Sequence, residues 1–348
     1  MVGILSYGTY VPKFRIKTAD TASSWKKDER EIIGGLKVYE KSVPGVDEDA
    51  VTVAYEAAAL CLACGKVAPG KIEAMFVGSE SHPYAVNPTS TIVGEFLGIG
   101  RNYLASDLQF ACKAGTTGLI LLAALASSNR IGMGMTIGAD TAQGKPHDML
   151  EYTSACAGAA FAIGRGSKVG VKLLSSTSYS SDTPDFWRRD GIRYPSHAGR
   201  FTGEPAYFAH VVAAALRLLA QTRSKPSDYD FCVFHMPNGK FPREAAHRLG
   251  FSEDQLKSSL IVESIGNPYS ASSLLGLAAV LDVARPGSKI FMVSYGSGAG
   301  SDGFVWETTE HIKKIQQWRR KQHAQLTDQI QDKTYVSYIE YLKKTHNI

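Results

Sequence analysis

Cys112 is the residue whose surroundings most suggest covalent chemistry. It lies in a glycine- and threonine-containing stretch, residues 107–118, and is followed by an apolar run, residues 119–126, with the periodicity of a buried helix. Unpaired N–H groups and the positive dipole end of that helix would favour the thiolate, the nucleophilic form of the side chain. Free cysteines are also common packing residues, so this stretch alone leaves a nucleophile and an inert thiol both open.

Three more polar side chains adjoin predicted elements in the same manner. Glu80 follows an apolar strand, His235 follows a second one, and Asn267 precedes an apolar helix. A fixed shift of 155 positions superposes Glu80 on His235 and Cys112 on Asn267. We expect two duplicated α/β units whose strand ends meet at one crevice, where the four side chains converge. This convergence favours the nucleophile interpretation of Cys112.

The elements that must position these residues are read from apolar periodicity. The same shift also superposes Ile137 on Met292 within two buried strands, although the first strands of the two halves are offset by more. Gly65 is expected to end the predicted helix 51–63. The predicted strands span 2–10, 72–78, 102–108, 134–138, 157–163, 169–179, 231–234 and 290–294, and the predicted helices span 51–63, 89–97, 119–126, 206–220 and 271–283.

Composition excludes several classes of protein. The chain has 348 residues, 44% of them hydrophobic and 20% charged, which suffices for two domains or one large duplicated core. A net charge of +5 gives little support to nucleic-acid binding. The most apolar window, 119–126, is much shorter than the ~20 residues of a membrane span, so no membrane association is expected.

The five cysteines form an odd number without a disulfide-like spacing, which predicts a reducing, cytoplasmic compartment. Cys61 and Cys64 lie three residues apart on a predicted helix. No second cysteine or histidine pair accompanies them at ligand spacing, so a packing role is expected and no metal site is predicted.

Five motifs together resemble the thiolase superfamily and, within it, the 3-hydroxy-3-methylglutaryl-CoA (HMG-CoA) synthase family in its shorter archaeal form. Cysteine, histidine and asparagine alone would indicate only the condensing-enzyme branch, and the glutamate is the specific part. The resemblance implies a five-layer αβαβα thiolase fold. The motifs are Gly78-Ser-Glu80, Ala111-Cys112, Phe234-His235-Met-Pro with Lys240, Gly266-Asn267-Pro-Tyr-Ser, and Ser294-Tyr-Gly-Ser297-Gly.

The resemblance implies a role for each of the four convergent residues. Cys112 would take the acetyl group from acetyl-CoA, and Glu80 would remove a proton from the acetyl methyl group. A carboxylate of ordinary pKa is a weak base, so an apolar site that raises the pKa of Glu80 toward neutrality is expected. His235 would bind the ketone of acetoacetyl-CoA and protonate the alkoxide, while Asn267 donates a nearby hydrogen bond. Water would then release HMG-CoA.

Further positions match the family pattern as substrate-binding residues. Asp28, Thr153, Thr202 and Ser297 would contact the acyl portion or the pantetheine, together with Asn267. Lys240 and Arg200, with Arg193 as a further candidate, are placed to meet the CoA phosphates. Ordinary structural roles, such as a turn hydroxyl or a solvated arginine, stay open for each of them. No cofactor is implied, because the coenzyme A esters are substrates.

The resemblance also implies an assembly, a pathway and a division of the chain. A homodimer is expected, acting at the entry to the mevalonate branch of isoprenoid synthesis. Archaeal enzymes of this type associate with an acetoacetyl-CoA thiolase and a small OB-fold protein. The charged tail is therefore read either as a surface helix that closes the fold or as a docking surface. The expected units are 1–167 with the glutamate and cysteine, 168–309 with the histidine and asparagine, and the tail 310–348.

Two rival functions are weighed against this interpretation. A synthase III-like enzyme that condenses acyl groups on acyl carrier protein makes its carbanion by losing CO₂, so it needs no base at the position of Glu80. A non-catalytic thiolase-like scaffold would need none of the four residues. Glu80 disfavours the first rival, and the joint presence of the glutamate with Cys112, His235 and Asn267 disfavours the second.

Overall fold

The computed structural model describes residues 1–348. Its strands are β1 (Val2–Tyr10), β2 (Phe14–Lys17), β3 (Glu40–Val43), β4 (Ala74–Gly78), β5 (Leu104–Leu108), β6 (Met133–Thr141), β7 (Cys156–Arg165), β8 (Val171–Thr183), β9 (Phe186–Trp187), β10 (Ser196–His197), β11 (Phe231–Phe234), β12 (Lys289–Val293), β13 (Gly298–Thr308) and β14 (Thr334–Tyr335).

The α-helices are α1 (Thr18–Ser24), α2 (Glu29–Leu36), α3 (Ala50–Gly65), α4 (Thr89–Leu97), α5 (Ala114–Ser127), α6 (Ala209–Thr222), α7 (Lys240–Leu249), α8 (Glu253–Leu256), α9 (Val262–Ile265), α10 (Ser272–Val283), α11 (Ile312–Lys321), α12 (Leu326–Gln331) and α13 (Tyr338–Lys344). A π-helical turn, Gly203–Phe208, leads into α6. Short 3₁₀ turns include Met149–Tyr152, Gly199–Thr202 and Tyr269–Ala271.

Nine strands form one sheet in the order β11-β12-β13-β8-β1-β7-β6-β4-β5. In the N-terminal half β4 and β6 pair in parallel, and β7 and β1 follow as antiparallel neighbours. In the C-terminal half β11 and β12 pair in parallel, and β13 and β8 follow as antiparallel neighbours. The order β4-β6-β7-β1 is thus repeated by β11-β12-β13-β8, and β5 has no counterpart. The halves join through a short pairing of β1 with β8 at Gly3 and Ile4.

Three apolar cores lie between alternating helical and sheet layers. One core packs α3 and α4 on the N-terminal strands, and another packs α6 and α7 on the C-terminal strands. The largest core lies around α5 and α10, which fill the layer between the two halves. Both helices are apolar on nearly every face because both sides are covered. The predicted five-layer α/β arrangement is therefore confirmed.

Most predicted elements are confirmed with small boundary differences. Strand 2–10, helix 89–97 and strand 231–234 have the predicted bounds. Helix α3 begins with a capping box at Asp49 and ends with Lys66 in the left-handed conformation, so Gly65 is the last helical residue and not the stop. Helix α6 begins three residues later than predicted because the π-helical turn occupies its expected start.

The C-terminal tail is integrated into the fold. Strand β14 pairs with β2, and α11 and α12 pack against the central core. Arg319 of α11 is buried and forms an ion pair of 2.7 Å with Asp282 of α10, whose carboxylate also accepts a hydrogen bond from the Tyr7 hydroxyl. Removing one partner of such a buried ion pair destabilises the fold, because the other charge stays buried without a partner. The tail contacts support the fold-closing interpretation.

Candidate active site

Glu80 and Cys112 are in direct contact. Glu80 follows β4, and Cys112 lies in the turn before α5, where its Sγ–H donates to Glu80 Oε1 over 2.9 Å. Gly78 makes this approach feasible, since a Cβ there would collide with the backbone of Ala114 and Gly115 at the start of α5. Ala111 adopts a left-handed conformation with φ of 45° and turns the chain sharply before the cysteine.

A buried carboxylate that the sequence did not point to holds the Glu80 loop. Asp140, at the end of β6, accepts hydrogen bonds from the Glu80 backbone N–H at 2.7 Å and from the hydroxyls of Ser79 and Ser81. Its second oxygen accepts from the Ser270 backbone N–H at 2.9 Å. Asp140 therefore joins the glutamate loop of one half to the asparagine loop of the other.

Burial keeps both Glu80 and Cys112 protonated near neutral pH. Burial, with the nearby charge of Asp140 as the next cause, raises the pKa of Glu80 to about 8. This confirms the expected direction. Burial and then the charge of Glu80 raise the pKa of the Cys112 thiol well above its ordinary value.

The expectation that a helix N-terminus favours the Cys112 thiolate is therefore wrong. Helix α5 begins at Ala114 with Lys113 as its N-cap, so the cysteine precedes the first helical turn. The dipole effect is confined to that turn and is small, whereas burial against a carboxylate opposes a second negative charge directly. The thiol instead has an adjacent acceptor for its proton in Glu80.

His235 follows β11 and is only 1% exposed. Its backbone is fixed on both sides, because its N–H donates to the Val293 carbonyl and its carbonyl accepts from the Tyr207 hydroxyl at 2.7 Å. Burial lowers the pKa of His235 to about 3, so the imidazole is neutral at pH 7. Its Nδ1 is buried without a protein partner. A neutral ring with an unpaired nitrogen is available to hydrogen-bond a substrate oxygen.

Asn267 precedes α10, and its loop contacts both the glutamate and the histidine loops. Its side-chain Oδ1 accepts from the Tyr269 N–H at 3.0 Å, which leaves Nδ2 as the donor group of the side chain. The Ser270 hydroxyl donates to the Gly78 carbonyl, and the Met236 N–H donates to the Ser272 hydroxyl. These bonds bring the Asn267 segment against the loops of Glu80 and His235.

The other predicted substrate residues are spread over several elements. Thr153 is buried, and its carbonyl accepts from the Asn267 N–H at 2.7 Å. Thr202 is partly buried and donates to the Asp185 carbonyl at 3.3 Å, and Ser297 is also partly buried. Asp28 is exposed and caps α2 through its contact with the Arg30 N–H. None of these side chains forms a hydrogen bond with Cys112, whose Sγ is hydrogen-bonded to Glu80, so their roles stay predictions.

The proposed cationic partners of CoA differ in their surroundings. Arg200 is exposed in a 3₁₀ turn, and Lys240 is exposed at the start of α7, in a cleft that Lys37 and Phe208 also line. Arg193 is instead engaged by the chain itself, because its guanidinium donates to the carbonyls of Thr345 and His346. The structure thus gives Arg193 an alternative role in holding the tail.

Sequence reasoning missed several residues around the centre. Asp185 is buried and accepts from the Tyr295 hydroxyl and the Gly298 N–H, both at 2.9 Å. Arg188 donates to the Glu80 carbonyl at 3.0 Å. Asp140 alone had a usable signal, because it ends a buried strand of an α/β sheet. Asp185 and Arg188 lie in the segment 185–200, whose sequence carries no periodic pattern.

Further features of the structure are its possible metal ligands, its cysteines and the apolar character of its helices. No group of histidine, cysteine, aspartate or glutamate side chains is arranged to hold a metal ion. All five cysteines are buried and free, and Cys61 contacts the Ser6 hydroxyl at 3.4 Å. None of the helices combines the length and the apolar character needed to cross a bilayer.

The chain is similar to known proteins in sequence and in fold. Residues 219–308 match the family model of the 3-oxoacyl-[acyl-carrier-protein (ACP)] synthase III C terminal. A solved structure, MvaS in complex with 3-hydroxy-3-methylglutaryl coenzyme A, superposes with a TM-score of 0.90 at 23% identity, covering 99% of this chain and 91% of that one. This match confirms the predicted thiolase-like fold.

Curated relatives specify the family. The hydroxymethylglutaryl-CoA synthase of Archaeoglobus fulgidus is 52% identical over 100% of this chain and 99% of its own length. The hydroxymethylglutaryl-CoA synthase of Methanopyrus kandleri is 50% identical over 98% of this chain and 96% of its own length. The chain belongs to the hydroxymethylglutaryl-CoA synthase family.

Proposed function

We propose that this chain condenses acetyl-CoA with acetoacetyl-CoA and water to give HMG-CoA and free CoA, through an acetyl group carried on Cys112. The contact of 2.9 Å between Cys112 Sγ and Glu80 Oε1 carries the proposal. It puts a nucleophile and a base side by side in a buried site, where each can act on the same acetyl group. The full-length likeness to hydroxymethylglutaryl-CoA synthases supports it.

The first step acetylates the cysteine. Cys112 Sγ attacks the acetyl carbonyl and its proton passes to Glu80, which then gives that proton to the departing CoA thiolate and is again a carboxylate. A Glu80 pKa of about 8 suits this transfer, because the carboxylate is a stronger base than an ordinary glutamate. Thioester exchange is nearly neutral in energy, and the acetyl group stays enolisable.

The second step forms the carbon–carbon bond. Glu80, again as the carboxylate, removes a proton from the acetyl methyl group, and the enolate carbon attacks the ketone carbon of acetoacetyl-CoA. The ketone oxygen becomes an alkoxide and takes up the proton that Glu80 removed from the methyl group, which returns Glu80 to the carboxylate. His235 is buried and neutral, so it stabilises the developing charge as a hydrogen-bond donor with Asn267. Water then hydrolyses the thioester to Cys112 and releases HMG-CoA.

The remaining site residues are proposed to bind the substrates. Asp28, Thr153, Thr202 and Ser297 would contact the acyl portion or the pantetheine. Lys240 and Arg200 are exposed cations and suit the CoA phosphates. The coenzyme A esters are substrates, and the chemistry of the four central residues needs no further cofactor.

A homodimer is proposed on the evidence of an unpaired sheet edge. Strand β5 pairs on one side only, and the large apolar side chains of Leu104 and nearby Phe96 are exposed. Exposed edges of this kind are suited to association. Association with an acetoacetyl-CoA thiolase and an OB-fold protein, a place in the mevalonate pathway and a cytoplasmic location are further parts of the proposal. The five free thiols suit a reducing compartment.

The experiment is a paired assay on the purified chain. Incubation with acetyl-CoA alone is expected to add one acetyl group to Cys112, seen by peptide mass spectrometry. Addition of acetoacetyl-CoA is expected to consume that adduct and to release HMG-CoA. Malonylated acyl carrier protein serves as the control substrate, and condensation with loss of CO₂ would favour the synthase III-like alternative. An unmodified cysteine in a chain that binds acetoacetyl-CoA would favour the scaffold.

A further inference from the structure

The C-terminal helix α13 binds a buried carboxylate, Glu151, which the proposed chemistry does not use. Glu151 lies in the 3₁₀ turn Met149–Tyr152 and has no exposed surface. The Tyr338 hydroxyl, from the first turn of α13, donates to Glu151 Oε1 at 2.7 Å. A buried carboxylate needs such donors, because leaving it unpaired costs free energy.

The same carboxylate also holds the segment that leads to Asp28. Glu151 Oε2 accepts from the Trp25 indole N–H at 3.0 Å and from the His147 backbone N–H at 2.7 Å. The Trp25 ring stacks on the His147 ring and meets the Tyr338 ring edge-on. Trp25 is the C-cap of α1 and lies three residues before Asp28, so the tail and the Asp28 segment share one anchor.

On its other side this cluster supports the Asn267 loop. Thr153 lies two residues after Glu151, and its carbonyl accepts from the Asn267 N–H at 2.7 Å. Buried Lys41 donates to the Glu151 carbonyl and, at 3.1 Å, to the Tyr341 hydroxyl of α13. The Lys41 side chain also packs against Gly266, where an added Cβ would lie 2.8 Å from Lys41 Cβ. Hydrogen bonds and packing contacts therefore connect α13, through Glu151 and Lys41, to Thr153 and Asn267.

We propose that Glu151 is a positioning residue through which helix α13 fixes three substrate-binding residues, Asp28, Thr153 and Asn267. The inference rests on the proposed function, because that function gives the three residues their substrate contacts. It assigns the tail a role in substrate affinity in addition to closing the fold. The role is a positioning one, since neither Glu151 nor Tyr338 contacts Glu80, Cys112 or His235. Second-layer hydrogen bonds of this kind commonly orient the residues that touch a ligand.

The test is the Tyr338→Phe variant, with Tyr335→Phe as the matched control. Both tyrosines lie in the tail, and both hydroxyls donate to a glutamate, at 2.7 Å to Glu151 and at 2.6 Å to Glu40. Only the first bond belongs to the cluster around Glu151. Tyr338→Phe is expected to raise the KM and the Kd for acetoacetyl-CoA about fivefold, the effect of one buried hydrogen bond, with a smaller fall in kcat through Asn267. Tyr335→Phe is expected to change neither.

A second variant, Glu151→Gln, keeps the side chain's size but replaces one acceptor oxygen with a donor. It is expected to raise the same KM at least as much as Tyr338→Phe, while the extent of Cys112 acetylation at saturating acetyl-CoA is unchanged. Equal effects of Tyr338→Phe and Tyr335→Phe would overturn the inference, because they would indicate a general loss of tail stability. Unchanged KM and Kd in both Tyr338→Phe and Glu151→Gln would overturn it as well.

The Kd measurement separates this inference from the proposed function. A wild-type chain that binds acetoacetyl-CoA but forms no HMG-CoA would overturn the proposed function. The binding comparison between wild type and Tyr338→Phe would still decide whether α13 sets affinity. Thermal unfolding of each variant identifies any change that comes from loss of fold.

Discussion

Glu80 and His235 occupy corresponding positions in the two halves, each following a strand, β4 or β11, that shares the same place in the repeated order. Burial acts on the two in opposite directions. It raises the pKa of the carboxyl to about 8 and lowers the pKa of the imidazole to about 3. Both are thereby neutral at pH 7, because a low-dielectric site disfavours whichever form is charged.

The surroundings of the two residues then separate their tasks. Glu80 accepts a hydrogen bond from the Cys112 thiol, so it can take up the thiol proton. Burial and then the charge of Asp140 raise its pKa toward neutral pH. His235 has aromatic neighbours, Tyr207 and Tyr295, and an unpaired ring nitrogen. In the proposed function the N-terminal half would therefore move protons, and the C-terminal half would supply hydrogen bonds to an oxyanion.

Cys112→Ala removes the nucleophile of the N-terminal half. We expect no acetyl adduct by mass spectrometry and at least a ~10⁴-fold loss of condensation, because the covalent route is closed. Cys232→Ala, at a buried cysteine of the other half, is the control and is expected to keep the adduct. An acetylated, active Cys112→Ala enzyme would contradict the assignment of the nucleophile.

Glu80→Gln removes the base but keeps the shape of the side chain. We expect kcat for HMG-CoA formation to fall by about 10³-fold, within the range for loss of a general base. Exposed Glu95→Gln is the matched control and should stay within twofold of wild type. Condensation at the normal rate in Glu80→Gln would show that another group is the base.

His235→Ala tests the C-terminal half. We expect condensation to fall by about 10²-fold, the effect of losing one oxyanion donor, while acetylation of Cys112 proceeds at close to the wild-type rate. Exposed His323→Asn serves as the control. A variant that loses acetylation and condensation together would show that the halves do not divide the work in this way.

Asp140→Asn is expected to have the smallest effect on maximal rate and to act on pH dependence. The nearby charge of Asp140 raises the Glu80 pKa, so removing that charge lowers it. Glu80 must be deprotonated to act, so activity rises with pH through the Glu80 pKa, about 8 in the parent chain. The rising limb of the kcat/KM profile should therefore move to lower pH in the variant. A limb that stays fixed or moves to higher pH would contradict the electrostatic role of Asp140.

Sequence reasoning reached the fold and the pair of Glu80 and Cys112 because strand-end positions and an internal duplication are regular features. It did not predict properties that depend on burial in three dimensions, such as the pKa of a thiol or the partners of a buried carboxylate. Burial and then the charge of Glu80 raise the pKa of the Cys112 thiol, against the direction expected from the nearby helix. Asp140 gave only the weak signal of a strand end, and Glu151 gave none, because its partners, Trp25 and Tyr338, are distant in sequence.

The most direct test of the central claim, that Glu80 is the base beside an acetylated Cys112, is deuterium exchange into the acetyl methyl group in D₂O. The rate is measured on the Cys112 peptide by mass spectrometry and expressed per acetylated enzyme, so slower acetylation in a variant does not affect it. We predict exchange in the wild-type chain and in His235→Ala, and its loss in Glu80→Gln. Exchange at the wild-type rate in acetylated Glu80→Gln would contradict the account.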